Sequence, residues 1–290
     1  MKKFIILIPV YNDWESLTKL LNEINNIIHE ISGLEFRCII VDDASTIKPP
    51  IIIKPNKISS IKVIQMRENR GHARCNAFGI RYIDTNEEFD HLILMDGDGE
   101  DRPEELKKLV TKCLSDTKIS VVAKRIKRSE GIFFRILYEA HKIITFIFTG
   151  KVINFGNYSC LTKRDINTLS SKGALWSSFS GSLKKYINNL NEIDSIRGLR
   201  YFGPSKMSLY RLGIHSFAIM AVFKNIIFFR SALFIVILSF LHTFAELTIS
   251  LIQIILVVFN LLIFIVSQRE NDKELKNSHL NVKKISTITH

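Results

Sequence analysis

The sequence is short of acid, has no paired cysteines and, over one long stretch, has no basic residues. Against 40 Lys and Arg stand 28 Asp and Glu, a formal charge of +12. Such a surplus points to a polyanionic partner: nucleic acid, an anionic membrane surface or phosphorylated small molecules. Cys38, Cys75, Cys113 and Cys160 form no CxxC pair, so there is no metal-knuckle signal, and reduced thiols in a cytoplasmic core are expected. No GxGxxG follows the first apolar run, which disfavours a dinucleotide dehydrogenase. No internal repeat or low-complexity linker is visible. The opening MKKFIILIPVYND has only about seven apolar residues before Tyr11, Asn12 and Asp13 and no small-residue cleavage site, so a buried strand is expected there rather than a signal peptide.

With 47% hydrophobic residues, the chain has ample material for a core. Short apolar runs at 4–10, 36–41, 61–66, 89–95 and 119–123 lack polar alternation, as strands buried on both faces do. Leu17, Leu20, Leu21, Ile24, Ile27, Ile28 and Ile31 keep the spacing of an amphipathic helix between the first two strands. Pro103 suits the first turn of another helix, whose apolar face is Leu106, Leu109, Val110, Cys113 and Leu114. This order predicts a doubly wound α/β domain with its ligand beyond the carboxyl ends of the strands, where Asp42, Asp43, Asp96 and Asp98 fall.

From about residue 125 to 224 basic segments interleave with aromatics, a composition shared by helices lying in a membrane interface and by ordinary covering helices. Residues 231–268 contain neither Lys nor Arg and are nearly all apolar up to Val266. That is too long for one span of about 20 residues and enough for two short ones. Glu246, flanked by His242 and Thr248, marks the turn. Lys224 and Arg230 lie before the run, and Arg269, Lys273, Lys276, Lys283 and Lys284 after it, which places both flanks on the cytoplasmic side. The expected organisation is an α/β domain over 1–205 (halves 1–124 and 125–205), interfacial helices over 206–228, a hairpin over 229–267 and a loosely ordered polar tail over 268–290.

The segment LILMDGDGEDRPEEL crowds Asp96, Asp98, Glu100 and Asp101 into six residues. Carboxylates that close repel unless a cation or an array of donors sits among them. Mg²⁺ or Mn²⁺ held by Asp96, Asp98 and Glu100 would meet that need and grip a diphosphate. The plainer reading is an acidic turn in which Asp101 assists the N-terminus of the following helix.

LIPVYND at the first strand end, VDDAST at the second, MRENRGHARCNAFGI after the third and then DGD occur in the order and spacing of a family of enzymes. The chain resembles the family 2 inverting glycosyltransferases of the GT-A fold over roughly residues 4–125. The resemblance implies that Pro9, Tyr11, Asn12 and Asp13 line a donor-nucleotide pocket, that one carboxylate of the pair Asp42 and Asp43 contacts base or ribose, and that Arg67, Asn69 and Gly71 shape the wall. It further implies that Asp96 and Asp98 bind the metal and that Glu100 is a third ligand. RYFGPSKM and NFGNYSCLTKRDI are similar to segments of the polyprenyl-phosphate hexosyltransferases, relatives of dolichyl-phosphate mannose synthase, although Asn157 and Ser159 stand where that pattern suggests Asp and Arg. By that likeness Arg125, Arg128, Arg200, Ser205 and Lys206 are candidate acceptor-phosphate residues, with Arg135 beside them.

The implied activity is inverting transfer of a sugar from a nucleoside diphosphate sugar to polyprenyl phosphate, at a bacterial-type inner membrane. A hydroxyl acceptor on a glycan or lipid would instead need a base, for which Glu100 or Asp101 is available. A non-catalytic sugar-nucleotide sensor would be expected to have lost metal ligands, and all are present. No nucleic-acid recognition motif occurs. Homo-oligomerisation is compatible with this organisation.

Overall fold

The structure, a computed structural model, describes residues 1–127, 132–204 and 208–289. The five apolar runs become β1 (Lys2–Val10), β2 (Leu34–Asp42), β3 (Ser60–Met66), β4 (His91–Leu94) and β5 (Ser120–Lys127). Three further strands are β6 (Phe155–Thr162), β7 (Leu190–Ile196) and β8 (Val282–Ile288), and together they form one sheet in the order β7-β5-β6-β4-β1-β2-β3-β8. β1 is parallel to β2 and β4, β2 is parallel to β3, and β5 is parallel to β7. β6 runs antiparallel to β4 and β5, and β8 antiparallel to β3. The expected doubly wound sheet is therefore mixed.

β1 shows why its sequence has no polar alternation. Ile5 and Leu7 enter one core, while Phe4, Ile6 and Ile8 enter a second core on the opposite face of the sheet. Helices α1 (Trp14–His29), α2 (His72–Asn86) and α3 (Leu106–Ser115) divide between these faces, with Leu17, Leu20 and Leu109 on one and Phe78 and Ile83 on the other. α4 (Ile132–Thr149), α5 (Lys163–Leu169) and α6 (Phe179–Tyr186) follow, and then α7 (Leu209–Ala221), α8 (Lys224–Leu241), α9 (Glu246–Ser267) and α10 (Asp272–Lys276). Region 125–224 thus holds β6 and β7 as well as helices.

α8 and α9 form the apolar hairpin. Each is long and apolar enough to cross a membrane, with only 11% of the most apolar window buried within the protein. Gln253 donates to Ser239 Oγ (2.9 Å), and His242 Nε2 meets Ser250 Oγ at 3.1 Å, fastening the two helices to each other. At the other end Lys224 pairs with Glu270 (3.2 Å), so both flanks leave on one side. Phe148 of α4 packs on Phe234 and Phe259, while Ile136, Ile143, Phe146 and Ile147 of the same helix remain exposed. An uncovered apolar surface of this extent suits a lipid surround.

The tail departs from the loose order expected of it. Leu275 is buried in the main core and β8 extends the sheet edge. Its polar residues look disordered in isolation because an edge strand needs backbone partners more than apolar side chains.

Candidate active site

Parallel pairing brings the carboxyl ends of β1, β2 and β4 together, and the orientation of β5 and β7 adds theirs to the same edge. The loops after β1 and β2 are joined by Asn12. Its Oδ1 accepts from the Thr46 and Ile47 amides (2.8 and 2.9 Å), and its own amide donates to Ser45 Oγ (2.9 Å). The residue at the expected nucleotide wall is therefore also a clasp between loops. It holds a positive φ of 51°, which Asn tolerates better than most residues.

Asp42 accepts from the Ser45 amide at 2.9 Å, and both oxygens of Asp43 accept backbone amides, from Arg70 (2.9 Å) and Gly71 (2.8 Å). Burial still raises the Asp43 pKa, the two amides opposing it. Gly71 thus lies beside Asp43, whereas Arg67 turns away and its Nε donates to Val282 O in the C-terminal segment (3.1 Å). The long RENRG loop reaches the tail, which explains the difference.

The DGDGED turn follows β4, and the four carboxylates go to different partners. Asp96 Oδ1 accepts from Asn157 (3.0 Å) and lies 3.3 Å from His72 Nε2. Asp98 accepts from the Glu100 amide (3.1 Å) and from Arg200 Nη1 (2.8 Å), and the other Arg200 nitrogen donates to Asp13. Glu100 pairs with Arg197. Asp101 is buried and accepts from the Asp96 amide at 2.9 Å. It therefore braces the turn and does not cap the helix opened by Pro103. Among the described residues no three acidic, histidine or cysteine side chains converge as a metal cage, so Glu100 is not brought into a three-carboxylate set with Asp96 and Asp98.

The loop after β7 lies over this turn. Gly198 N donates to Glu100 O (2.8 Å), Tyr201 N to Asp98 O (3.0 Å) and Tyr201 Oη to Glu23. Arg200, an expected acceptor residue, is thereby committed to Asp98 and Asp13. Arg125 crosses Gly156, where a Cβ would collide with its guanidinium, and its charge acts on Glu100 and Asp101. Arg128, Ser205 and Lys206 lie outside the described residues.

Burial pushes up the carboxyls of Asp98, Glu100 and Asp101, the last to about 7, and the Asp96 charge adds to each. Burial would raise Asp96 too, but His72, Arg197 and Asn157 hold it well below the usual range. Burial also works against a charged His72 ring, yet attraction by Asp96 outweighs it and raises that pKa. Asp96 and Asp98 present the hard oxygen donors a divalent cation takes, and in this structure each is already partnered, Asp96 by His72 and Asn157 and Asp98 by Arg200. His72, Arg197 and Asn157 were not among the expected site residues. Arg197 had a legible signal, three positions before Arg200 in IRGLRYFG, whereas His72 reaches Asp96 only because the first residue of α2 meets the turn that follows β4.

The family model described as glycosyl transferase family 2 matches residues 5–189. Undecaprenyl-phosphate 4-deoxy-4-formamido-L-arabinose transferases of Salmonella paratyphi B and Salmonella typhimurium are each 28% identical over 223 residues, covering 73% of this chain and 64% of theirs. The chain thus spans just under two thirds of the length of those relatives. A crystal structure of glucosyl-3-phosphoglycerate synthase from Mycobacterium tuberculosis, in complex with Mn²⁺, UDP and glucosyl-3-phosphoglycerate, is 14% identical with a TM-score of 0.55 and covers 78% of this chain and 80% of its own. That likeness is one of fold.

Proposed function

This chain belongs to glycosyl transferase family 2, and from that premise we propose that it transfers a sugar from a nucleoside diphosphate sugar to polyprenyl phosphate at a membrane, with inversion at the anomeric carbon. The observation that carries the proposal is one edge of the sheet. There the half-buried carboxylates Asp96, Asp98 and Glu100 lie among cations, Asp98 paired with Arg200 and Glu100 with Arg197 and under the charge of Arg125, and the β5 and β7 strands that bear or precede those arginines lead into α4 and α7, which pack at the base of the apolar hairpin. A phosphate on a lipid is the acceptor that needs both features.

In this reading Pro9, Tyr11, Asn12, Asp42 and Asp43 bind the nucleotide, carboxylates being pure acceptors for its N–H and O–H groups. Mg²⁺ or Mn²⁺ held by Asp96 and Asp98 would supply positive charge to the departing diphosphate. Arg197 and Arg200 keep the carboxylate turn and the β7 loop in register, and Arg125, with Arg128, Ser205 and Lys206, holds the acceptor phosphate. A phosphate monoester is largely ionised at neutral pH, with a second pKa of about 6, so its oxygen attacks the anomeric carbon without a strong general base. The carbon–oxygen bond to the diphosphate breaks and the electron pair leaves on the nucleotide. Both ends of the hairpin and the catalytic domain are cytoplasmic, by the basic flanks.

One observation favours a second reading. Asp101, with its pKa pushed up to about 7, is poised as a base for a hydroxyl acceptor, although it is buried and spent on the Asp96 amide. The test is to incubate the detergent-purified protein with Mn²⁺ or Mg²⁺, labelled sugar nucleotides and undecaprenyl phosphate, and then extract the lipid. Lipid-bound label with at least one donor supports the proposal. Label appearing only as free sugar in water, with every donor, overturns it.

A further inference from the structure

The segment that returns from the hairpin ends beside the loop between β3 and α2. The Asn281 side chain is buried and grips both backbone groups of one residue: its Oδ1 accepts from Glu68 N (3.1 Å) and its Nδ2 donates to Glu68 O (3.0 Å). The Arg67 amide adds a bond to Asn281 O (2.7 Å) and its Nε a bond to Val282 O. These four contacts lie where the β3–β8 ladder slips out of register, between Gln65 and Met66. They therefore hold the loop, not the strand. The far end of the same loop, the amides of Arg70 and Gly71, is the pair that both oxygens of Asp43 accept. α10 strengthens the attachment: Glu274 accepts from Trp176 Nε1 (2.8 Å) and Leu275 fills the core.

We propose that Asn281 is a positioning residue for donor binding, fixing loop 67–71 so that its amides orient Asp43. A side chain from beyond the membrane hairpin thus completes the nucleotide site, which is competent only when the C-terminal segment has docked. Two amide bonds from one buried side chain to both backbone groups of Glu68 are suited to this role, because neither Glu68 group has a ladder partner in β8.

The inference rests on reading Asp42 and Asp43 as donor residues, and the test separates the two. Binding of UDP, GDP, CDP and dTDP, each with Mn²⁺, is measured calorimetrically on the full chain in detergent. Asp43→Asn is expected to weaken the nucleotide that binds best. No binding to the native chain, or no change in Asp43→Asn, overturns the donor reading and this inference with it. Asn281→Ala is expected to weaken that nucleotide on the order of tenfold, from the loss of two neutral hydrogen bonds. It should also raise the donor KM while leaving the acceptor KM and the kcat at saturating donor unchanged, as should Lys283→Ala, on the exposed side of β8, for all three. If Asp43→Asn weakens binding and Asn281→Ala does not, or if Asn281→Ala lowers only thermal stability, the inference alone fails. Should Asn281→Ala not fold, Asn281→Ser, which keeps a hydroxyl at that edge, is judged by the same two outcomes.

Discussion

Gly99→Ala is expected to lift the β7 loop off the carboxylate turn. Gly99 has φ +87°, and a Cβ there would lie 2.5 Å from the Tyr201 ring. An alanine in that backbone region costs about 1–3 kcal/mol. The ring is rigid and must retreat by about 1 Å to reach ordinary van der Waals contact near 3.5 Å. In retreating it loses Lys19, whose Nζ is 4.3 Å from the ring centroid, an interaction of about 0.5–1 kcal/mol. It also loses the bond to Glu23, worth about 0.5–1.5 kcal/mol. Together these are roughly 2–5 kcal/mol, enough to shift the closed loop by roughly thirty- to several-thousand-fold toward open. Both Arg197 and Arg200 ride on this loop, so Glu100 and Asp98 lose their partners. The assay is limited trypsin digestion followed by mass spectrometry, with transfer measured in parallel. Faster cleavage after Arg197 and Arg200, with the rest of the domain protected, and a fall in transfer are expected. Native cleavage rates at both bonds together with native transfer would refute the reasoning.

Other perturbations give separate tests. Asp96→Asn and Asp98→Asn should each lower transfer by on the order of a hundredfold or more, with weaker Mn²⁺ binding by electron paramagnetic resonance; native Mn²⁺ affinity would contradict their assignment. Chelation by EDTA should stop lipid labelling, and added Mg²⁺ or Mn²⁺ should restore it. Glu105 is buried and accepts from Ser195 Oγ (2.5 Å) and Ile196 N (2.9 Å), so Glu105→Ala should cost about 2–4 kcal/mol in denaturant unfolding, or free the β7 loop for proteolysis. Val257 lies exposed near the middle of α9, and Val257→Arg should disfavour insertion by about 2.5–3.5 kcal/mol, moving protein from the membrane to the soluble or aggregated fraction.

The five strands of the first half were legible because burial on both faces leaves unbroken apolar runs, and the parallel βα order then fixes where their carboxyl ends meet. The hairpin was legible from the missing cations of residues 231–268. The β6 segment FGNYSCLT was harder to see. It carries Gly156 and Asn157 because its first residues serve the site, where Arg125 must cross and Asp96 needs a donor. β8 was invisible for the opposite reason: an edge strand with exposed Lys283, Lys284 and Ser286 has one backbone partner and touches the cores only at its ends, through Val282 and Ile288. At the site, spacing implied convergence of Asp96, Asp98 and Glu100, and the structure instead gives them separate partners, Glu100 being drawn to Arg197. Partners that arrive by tertiary packing, His72 on Asp96 and Asn281 on Glu68, have no local sequence signature, since each contact joins residues distant along the chain.

The central claim is that the acceptor is a phosphate carried by a lipid. Its most direct measurement offers the purified enzyme equal undecaprenyl phosphate and undecaprenol, with the active sugar nucleotide and Mn²⁺, and determines the linkage of the lipid product by mass spectrometry and by phosphorus coupling at the anomeric centre. A sugar joined through phosphate, with the anomeric configuration inverted relative to the donor and no transfer to undecaprenol, is the predicted result. Transfer to undecaprenol alone, or a phosphate-linked product with retained configuration, would contradict the account.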